Sequence, residues 1–188
     1  MVRVAINGYG RIGRSVLRAL QESPHRDRLQ IVAINELADA GTVLHLTRYD
    51  STHGRFPGEL VGNKASLTVA GQDITLLRHE AIDQLPWGDL GVDLVLECTG
   101  AFTDRATAEL HLAQGAGRVL FSQPAESDVD ATIVYGINQD TLQTGHTVVS
   151  AGSCTTNGIV PVIRALADTV GIESGTITTI HSAMNDQP

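Results

Sequence analysis

The chain has 188 residues, with 13 Lys+Arg against 21 Asp+Glu and a formal net charge of −8. Apolar residues make up 42% and charged residues 18%, an ordinary globular composition that excludes collagen-like and wholly disordered chains. The acidic balance carries no basic stripe and argues against a nucleic-acid backbone as main partner, and no apolar run approaches the ~18 residues of a membrane helix.

The stretch from Met1 to Ile6 has no long apolar segment and no small-residue cleavage site, so no secretory signal is read. The two cysteines, Cys98 and Cys154, build no disulfide framework and belong to no metal-ligand spacing. A reducing cytoplasm is the expected compartment, and no metal is expected.

In chain order, Val2–Asn7 is predicted as a strand and Arg11–Gln21 as a helix, with Ile12, Val16, Leu17 and Leu20 at helical spacing. Leu29–Asn35 is a second apolar strand. Asp39 is placed to cap a helix whose buried side carries Val43, Leu44 and Leu46. Ser66–Val69 and Ile74–Leu77 read as a hairpin around Ala70 to Asp73. Val92–Cys98 is a nearly continuous apolar run, the mark of a strand covered on both faces. A helix over Asp104–Gln114 follows, then strands at Arg118–Ser122, Thr132–Tyr135 and Thr147–Ser150. Thr155–Val170 reads as a longer helix, kinked at Pro161, and Gly175–His181 as a strand. Strands alternating with helices predict an α/β fold with a mostly parallel sheet. A change in pattern near residue 150 places a boundary between a unit over 1–150 and the start of another over 151–188.

Gly8-x-Gly10-x-x-Gly13 lies between the first strand and the first helix. The first glycine permits a tight turn, the second lets backbone approach a pyrophosphate, and the third lets helix pack on strand. The helix N-terminus offers N–H groups and a positive dipole end to phosphates. Glu36 follows the second strand, 23 residues past Gly13. Its carboxylate accepts a ribose 2′-OH and repels a 2′-phosphate, which favours NAD over NADP. This is the doubly wound Rossmann pattern. Thr99 and Gly100, and Ser122, stand at carboxyl ends of later strands, where such a crevice takes its ligand.

Ser153-Cys154-Thr155-Thr156-Asn157 follows a strand and opens the long helix. A cysteine at a helix N-terminus is favoured as thiolate, the form that attacks carbonyls. His181 comes 27 residues later and is a candidate base for it. Cys98 reads as a core residue. Trp87 reads as a structural anchor, and Tyr9 as a spacer exposed in the glycine turn. His45 reads as structural, and His53 and Arg55 as members of a polar loop. His79 and His111 have no metal partners at useful spacing.

These motifs, together with Asn7 to Arg14, Tyr49 to Phe56 and Glu97-Cys98-Thr99-Gly100, resemble the glyceraldehyde-3-phosphate dehydrogenase family over the whole chain. Within it, Val32 to Asp39, Leu85-Pro86-Trp87 and Gly171 to Met184 resemble the branch that oxidises D-erythrose 4-phosphate. The resemblance implies a Rossmann NAD-binding domain followed by the start of an α+β catalytic domain. It implies Cys154 as nucleophile and His181 as base, passing through a thiohemiacetal and a thioester. It assigns Asn7, Gly8, Arg11, Ile12, Glu36, Thr99 and Ser122 to NAD, and Ser153 and Thr155 to an attacking anion. The substrate it implies is a small phosphorylated aldehyde, the assembly a homotetramer, and the metabolic setting pyridoxal phosphate synthesis.

Departures from the family pattern are informative. Met184 stands where phosphorylating members carry a threonine, and a thioether donates no hydrogen bond. Gly158 replaces a common second cysteine, Ala151 a common asparagine, and Glu36 the commoner aspartate. Two other functions stay open at this point: the phosphorylating enzyme of glycolysis, and an NAD-binding fragment without turnover. The family's longer chains lead one to expect that 151–188 holds only part of a catalytic unit.

Overall fold

The computed structural model describes residues 1–181. Its elements in chain order are β1 (Val2–Asn7), α1 (Arg11–Glu22), β2 (Leu29–Asn35), α2 (Ala40–Arg48), β3 (Tyr49–Asp50) and β4 (Gly54–Arg55). Next come β5 (Leu60–Gly62), β6 (Ser66–Val69), β7 (Gln72–Leu77), β8 (Leu94–Glu97), α3 (Arg105–Ala113) and β9 (Arg118–Phe121). The last are β10 (Ala131–Thr132), β11 (Val148–Ser150) and α4 (Cys154–Thr169).

Among the described residues, nine strands form one sheet in the order β10-β11-β9-β8-β1-β2-β7-β6-β5. From β10 to β7 neighbours run parallel, while β7, β6 and β5 pair antiparallel. The chain steps outward from β1 to β2 and β7, then returns to lay β8 on the other side of β1. That reversal opens a crevice at the carboxyl ends of β1 and β8.

β1 shows why the sheet is buried on both faces. Val4 and Ile6 enter one core with Leu17, Ile31, Ile34 and Val43. Ala5, between them, enters a second core with Val32, Trp87, Val92 and Val95. The two-residue alternation of a strand sends neighbours to opposite sides. Each fully buried aliphatic side chain contributes about 1.5–3 kcal/mol.

The helices start where side-chain caps are available. Asp39 accepts from the Thr42 N–H at 3.0 Å, and Asp104 from the Thr107 N–H at 2.8 Å. Both carboxyls are held below their ordinary range by these threonines. The Ala70-Gly71 turn between β6 and β7 has φ of +48° and +81°, the left-handed pair that a two-residue hairpin needs.

Several predicted elements change. β8 and β9 are shorter than the apolar runs that carry them, and Thr132–Tyr135 shrinks to the two-residue β10, Ala131–Thr132. Gly175–His181 is not a strand: it has no regular structure and no ladder partner among the described residues, and extended backbone without a ladder is not a sheet element. Leu46 is exposed, not on the buried side of α2, because the core takes Val43 and Thr47 instead. α4 starts one residue earlier than predicted and runs through Pro161. Trp87 and Cys98 are buried, as expected of them.

Candidate active site

The crevice is a cleft of about 390 Å3 lined by Asn7, Gly8, Gly10, Asn35, Glu36, Leu37, His79, Glu80, Cys98, Thr99, Ala101 and Phe102. Of the predicted residues, Asn7, Gly8, Gly10, Glu36 and Thr99 line it. Arg11, Ile12, Gly13, Gly100 and Ser122 do not.

The glycine turn owes its shape to close backbone approach. Gly8 has φ +86°, and a Cβ there would lie 2.6 Å from the Thr99 nitrogen. A Cβ on Gly13 would meet the Gly8 carbonyl oxygen at 2.5 Å. Any side chain at either position would push β1, α1 and the Thr99 turn apart. Gly10 is the N-cap of α1 and brings no side-chain acceptor, so the first turn keeps N–H groups for an outside anion. Glu36 lies across this turn: its carboxylate accepts from the Tyr9 N–H at 2.8 Å and the Ala38 N–H at 3.0 Å. Two carboxylate oxygens retain lone pairs beyond these bonds. An uncapped helix start, a cradle that a Cβ would fill and an oriented carboxylate together fit a dinucleotide.

Tyr9 corrects the sequence reading. It is buried, not an exposed spacer, with its hydroxyl 3.1 Å from the Thr47 hydroxyl beneath α2. Burial pushes its phenol up to about 12. The Tyr9 side chain turns inward to meet Thr47 of α2, a contact that local sequence does not record. Ser122 donates to the Gln123 side chain at 2.8 Å, and Gly100 forms an exposed turn with φ +76°.

The second cluster is built at the same carboxyl edge of the sheet. β11 ends in Ser150, whose hydroxyl donates to the Gln123 carbonyl at 2.8 Å and accepts from the Gly152 N–H at 3.0 Å. Gly152 turns the chain with φ +70°. Ser153 caps α4, its hydroxyl accepting from the Thr156 N–H at 2.9 Å. The Asn157 amide donates back to the carbonyls of Ala151 at 2.8 Å and Ser153 at 2.9 Å. This clamp holds the residues just before Cys154, and the sequence reading gave Asn157 no such role.

Cys154 Sγ lies 3.6 Å from His181 Nε2. The thiol is exposed and its pKa is lowered, first by the His181 hydrogen bond and then by Thr155. Cys98 has the opposite setting. Burial pushes its thiol up to about 11, and the nearby Glu97 charge adds to the rise, while a hydrogen bond with Ser122 offsets part of it.

Sequence reasoning missed Asn35, Leu37, His79, Glu80, Ala101 and Phe102 as cleft-lining residues, and it read Cys98, which also lines the cleft, as a core residue alone. Their signal was available: they follow the carboxyl ends of β2, β7 and β8. A larger groove of about 610 Å3 runs along α4 and the residues after it, but it holds none of the predicted site residues. Among the described residues no group of His, Cys, Asp and Glu is placed to hold a metal, and no helix is long and apolar enough to cross a membrane.

Residues 2–105 match the family model described as glyceraldehyde 3-phosphate dehydrogenase, NAD binding domain. Residues 153–188 match the model described as glyceraldehyde 3-phosphate dehydrogenase, C-terminal domain. The first match covers the cleft and the second begins at the cap of α4. NAD is the cofactor of the domain that this first match identifies.

Proposed function

The chain belongs to the glyceraldehyde 3-phosphate dehydrogenase family, and we propose that it oxidises D-erythrose 4-phosphate to 4-phosphoerythronate with NAD. The observation that carries the chemistry is the Cys154–His181 contact of 3.6 Å at the start of α4.

The Cys154 thiolate attacks the aldehyde carbon, and the carbonyl oxygen gains the negative charge. The Cys154 N–H, in the first turn of α4, suits that oxyanion because the helix start is its positive end. His181, which holds the proton of the thiol, returns it to the oxyanion to give a thiohemiacetal and takes it back from the hydroxyl as the hydride leaves. NAD, when bound, supplies the hydride acceptor that turns the thiohemiacetal into a thioester. His181 gives that proton up to solvent and then serves as base for the water that attacks the thioester, which releases the acid and the thiolate.

Within the cleft, Glu36 would hold the ribose, Gly8 and Gly10 with the N-terminus of α1 the pyrophosphate, and Asn7 and Thr99 the remaining polar groups. Arg11, Ile12, Gly13, Gly100 and Ser122 flank it. The boundary between the dinucleotide-binding and catalytic units falls at 150–151. By its resemblance, the protein would act in the cytoplasm as a homotetramer, in a route toward pyridoxal phosphate.

Erythrose 4-phosphate is favoured by the three segments that resemble that branch and by Met184, which lies outside the described residues. Phosphorylating oxidation of glyceraldehyde 3-phosphate draws on Ser153 and Thr155, whose hydroxyls flank the thiol and suit a phosphate. Rates of NADH formation with each aldehyde, with and without inorganic phosphate, decide between them. Faster turnover of erythrose 4-phosphate without phosphate is expected. A requirement for phosphate and a preference for glyceraldehyde 3-phosphate would transfer the assignment to the phosphorylating reaction.

A further inference from the structure

Three adjacent strands end side by side under the cleft. The register sets Asn7 of β1 opposite Asn35 of β2 and opposite Glu97 of β8. All three side chains are buried, and Glu97 is 0% exposed. Their hydrogen bonds run in one direction.

Asn35 is fixed by the backbone of His79: its Oδ1 accepts the His79 N–H at 2.9 Å, and its Nδ2 donates to the His79 carbonyl at 2.9 Å. The same Nδ2 donates to Asn7 Oδ1 at 2.7 Å. Asn7 must then present its own Nδ2, which donates to Glu97 Oε2 at 2.6 Å. From the far side, Trp87 Nε1 donates to His111 Nδ1 at 2.9 Å. An indole N–H only donates, so His111 Nδ1 accepts and the ring hydrogen sits on Nε2. That N–H donates to Glu97 Oε2 at 3.2 Å. The Thr99 N–H donates to Glu97 Oε1 at 2.8 Å, and the Thr99 hydroxyl donates to the same oxygen.

Every neighbour therefore points a donor at Glu97. The Asn7 amide, the His111 ring N–H and the Thr99 N–H can only donate toward Glu97, so its two carboxyl oxygens are the acceptors that join them. Two of the residues it holds, Asn7 and Thr99, line the cleft. His111 and Trp87 do not line it and are fully buried on α3 and the segment before β8.

We propose that Glu97 is a positioning residue for the NAD cleft, and that His111, held by Trp87, sets cofactor affinity through it. The inference rests on the reading that this cleft holds the cofactor. Bonds to a charged acceptor are among the stronger ones, and a buried donor left unpaired carries its full desolvation cost. Loss of the His111 bond frees the carboxylate to move, and Asn7 and Thr99 move with it.

His111→Leu and His111→Gln make the test, with Glu97→Gln beside them. The glutamine at 111 keeps one donor for Glu97 and one acceptor for Trp87, whereas leucine keeps neither. Two quantities are measured on the full chain: amide hydrogen exchange at Thr99, with Val95 in the preceding strand β8 as the control, and the affinity for NAD by calorimetric titration. His111→Leu is expected to speed exchange at Thr99 relative to Val95 and to weaken NAD binding, each by about tenfold. His111→Gln is expected to stay within about twofold of the parent in both. Glu97→Gln turns one acceptor into a donor facing two donors, and its effect is expected to be larger still. Should it fail to fold, the two His111 variants carry the comparison. Thr99 exchange and NAD affinity unchanged in His111→Leu would overturn the proposal, as would equal damage from both His111 variants. A parent chain that binds no NAD would contradict the cofactor reading alone, and Thr99 exchange would then decide whether Glu97 positions the turn.

Discussion

Cys98 follows β8 in the middle of the sheet, and Cys154 opens α4 at its edge. The first thiol is wrapped in a core with Ile6, Tyr9 and Leu17, and burial raises its pKa to about 11. The second is exposed beside His181, which lowers its pKa. Residue type is the same; the difference lies in what each position offers a negative charge. A buried strand end offers apolar walls and the Glu97 carboxylate. A helix start offers a dipole end, a hydroxyl and an imidazole. The setting that favours a thiolate is thus built by the turn from β11 through Gly152 into α4.

Substitution of the thiols breaks the comparison most severely. Cys154→Ser is expected to reduce NADH formation to background, while Cys98→Ser, at a residue that lines the cofactor cleft but does not attack the substrate, is expected to keep NADH formation at saturating NAD. Loss of activity in Cys98→Ser with normal folding would contradict the assignment.

His181→Ala comes next. Removal of a general base is expected to slow turnover by about 10²–10⁴-fold. The same variant separates the two thiols in a second way. The Cys154 pKa is lowered in the folded chain, so its alkylation by iodoacetamide rises at lower pH than that of an ordinary thiol. Without His181 that rise moves to higher pH, and the rate near neutrality falls. Cys98 alkylation should be unchanged. An unmoved Cys154 profile would mean that the histidine does not act on the thiol.

Asn157→Ala removes the clamp on the Ala151 and Ser153 carbonyls. A several-fold lower turnover is expected, with an unchanged affinity for NAD, because Asn157 does not line the cleft. Weaker NAD binding with intact turnover would point to the opposite division of labour.

The smallest effect concerns the scaffold beneath β11. Asp130 accepts from the Thr147 N–H at 2.7 Å, the Val148 N–H at 2.9 Å and Arg105 at 2.9 Å. The Val148 bond leads the causes that hold its carboxyl far below the usual range, with Arg105 adding to them. A depressed folded pKa contributes stability above the unfolded value, and that stability is lost as pH falls through the folded one. Asp130→Asn is expected to lower the melting temperature by several degrees at neutral pH, with the gap to the parent closing in acid. The ratio of Cys154 to Cys98 alkylation should stay the same. A gap that widens in acid would contradict the linkage.

The sequence marks the parts of this molecule that depend on neighbours along the chain. β1, β2 and β6 fall where their apolar runs place them, and Asp39 and Asp104 cap the helices they precede. The glycine spacing was readable, and so were Cys154 and His181 as candidates, but not their approach to 3.6 Å, since spacing along the chain does not say which distant residues meet. Tyr9 was misread because its side chain turns inward to meet Thr47 of α2, and Leu46 because the core takes Val43 and Thr47 instead. The strand predicted at Gly175–His181 failed for lack of a partner to pair with. The Asn35–Asn7–Glu97–His111–Trp87 chain was invisible for a related reason. It depends on strand register across β2, β1 and β8 and on α3 packing behind them, and no local pattern encodes that.

The most direct measurement is acid quenching during turnover. The chain is mixed with NAD and erythrose 4-phosphate, stopped in acid, digested and mapped by mass spectrometry. An acyl adduct on the peptide that carries Cys154, absent from the peptide that carries Cys98 and absent from His181→Ala quenched at the same early time, is the expected result. An adduct on Cys98, or NADH accumulating in the Cys154→Ser variant, would contradict Cys154 as the nucleophile.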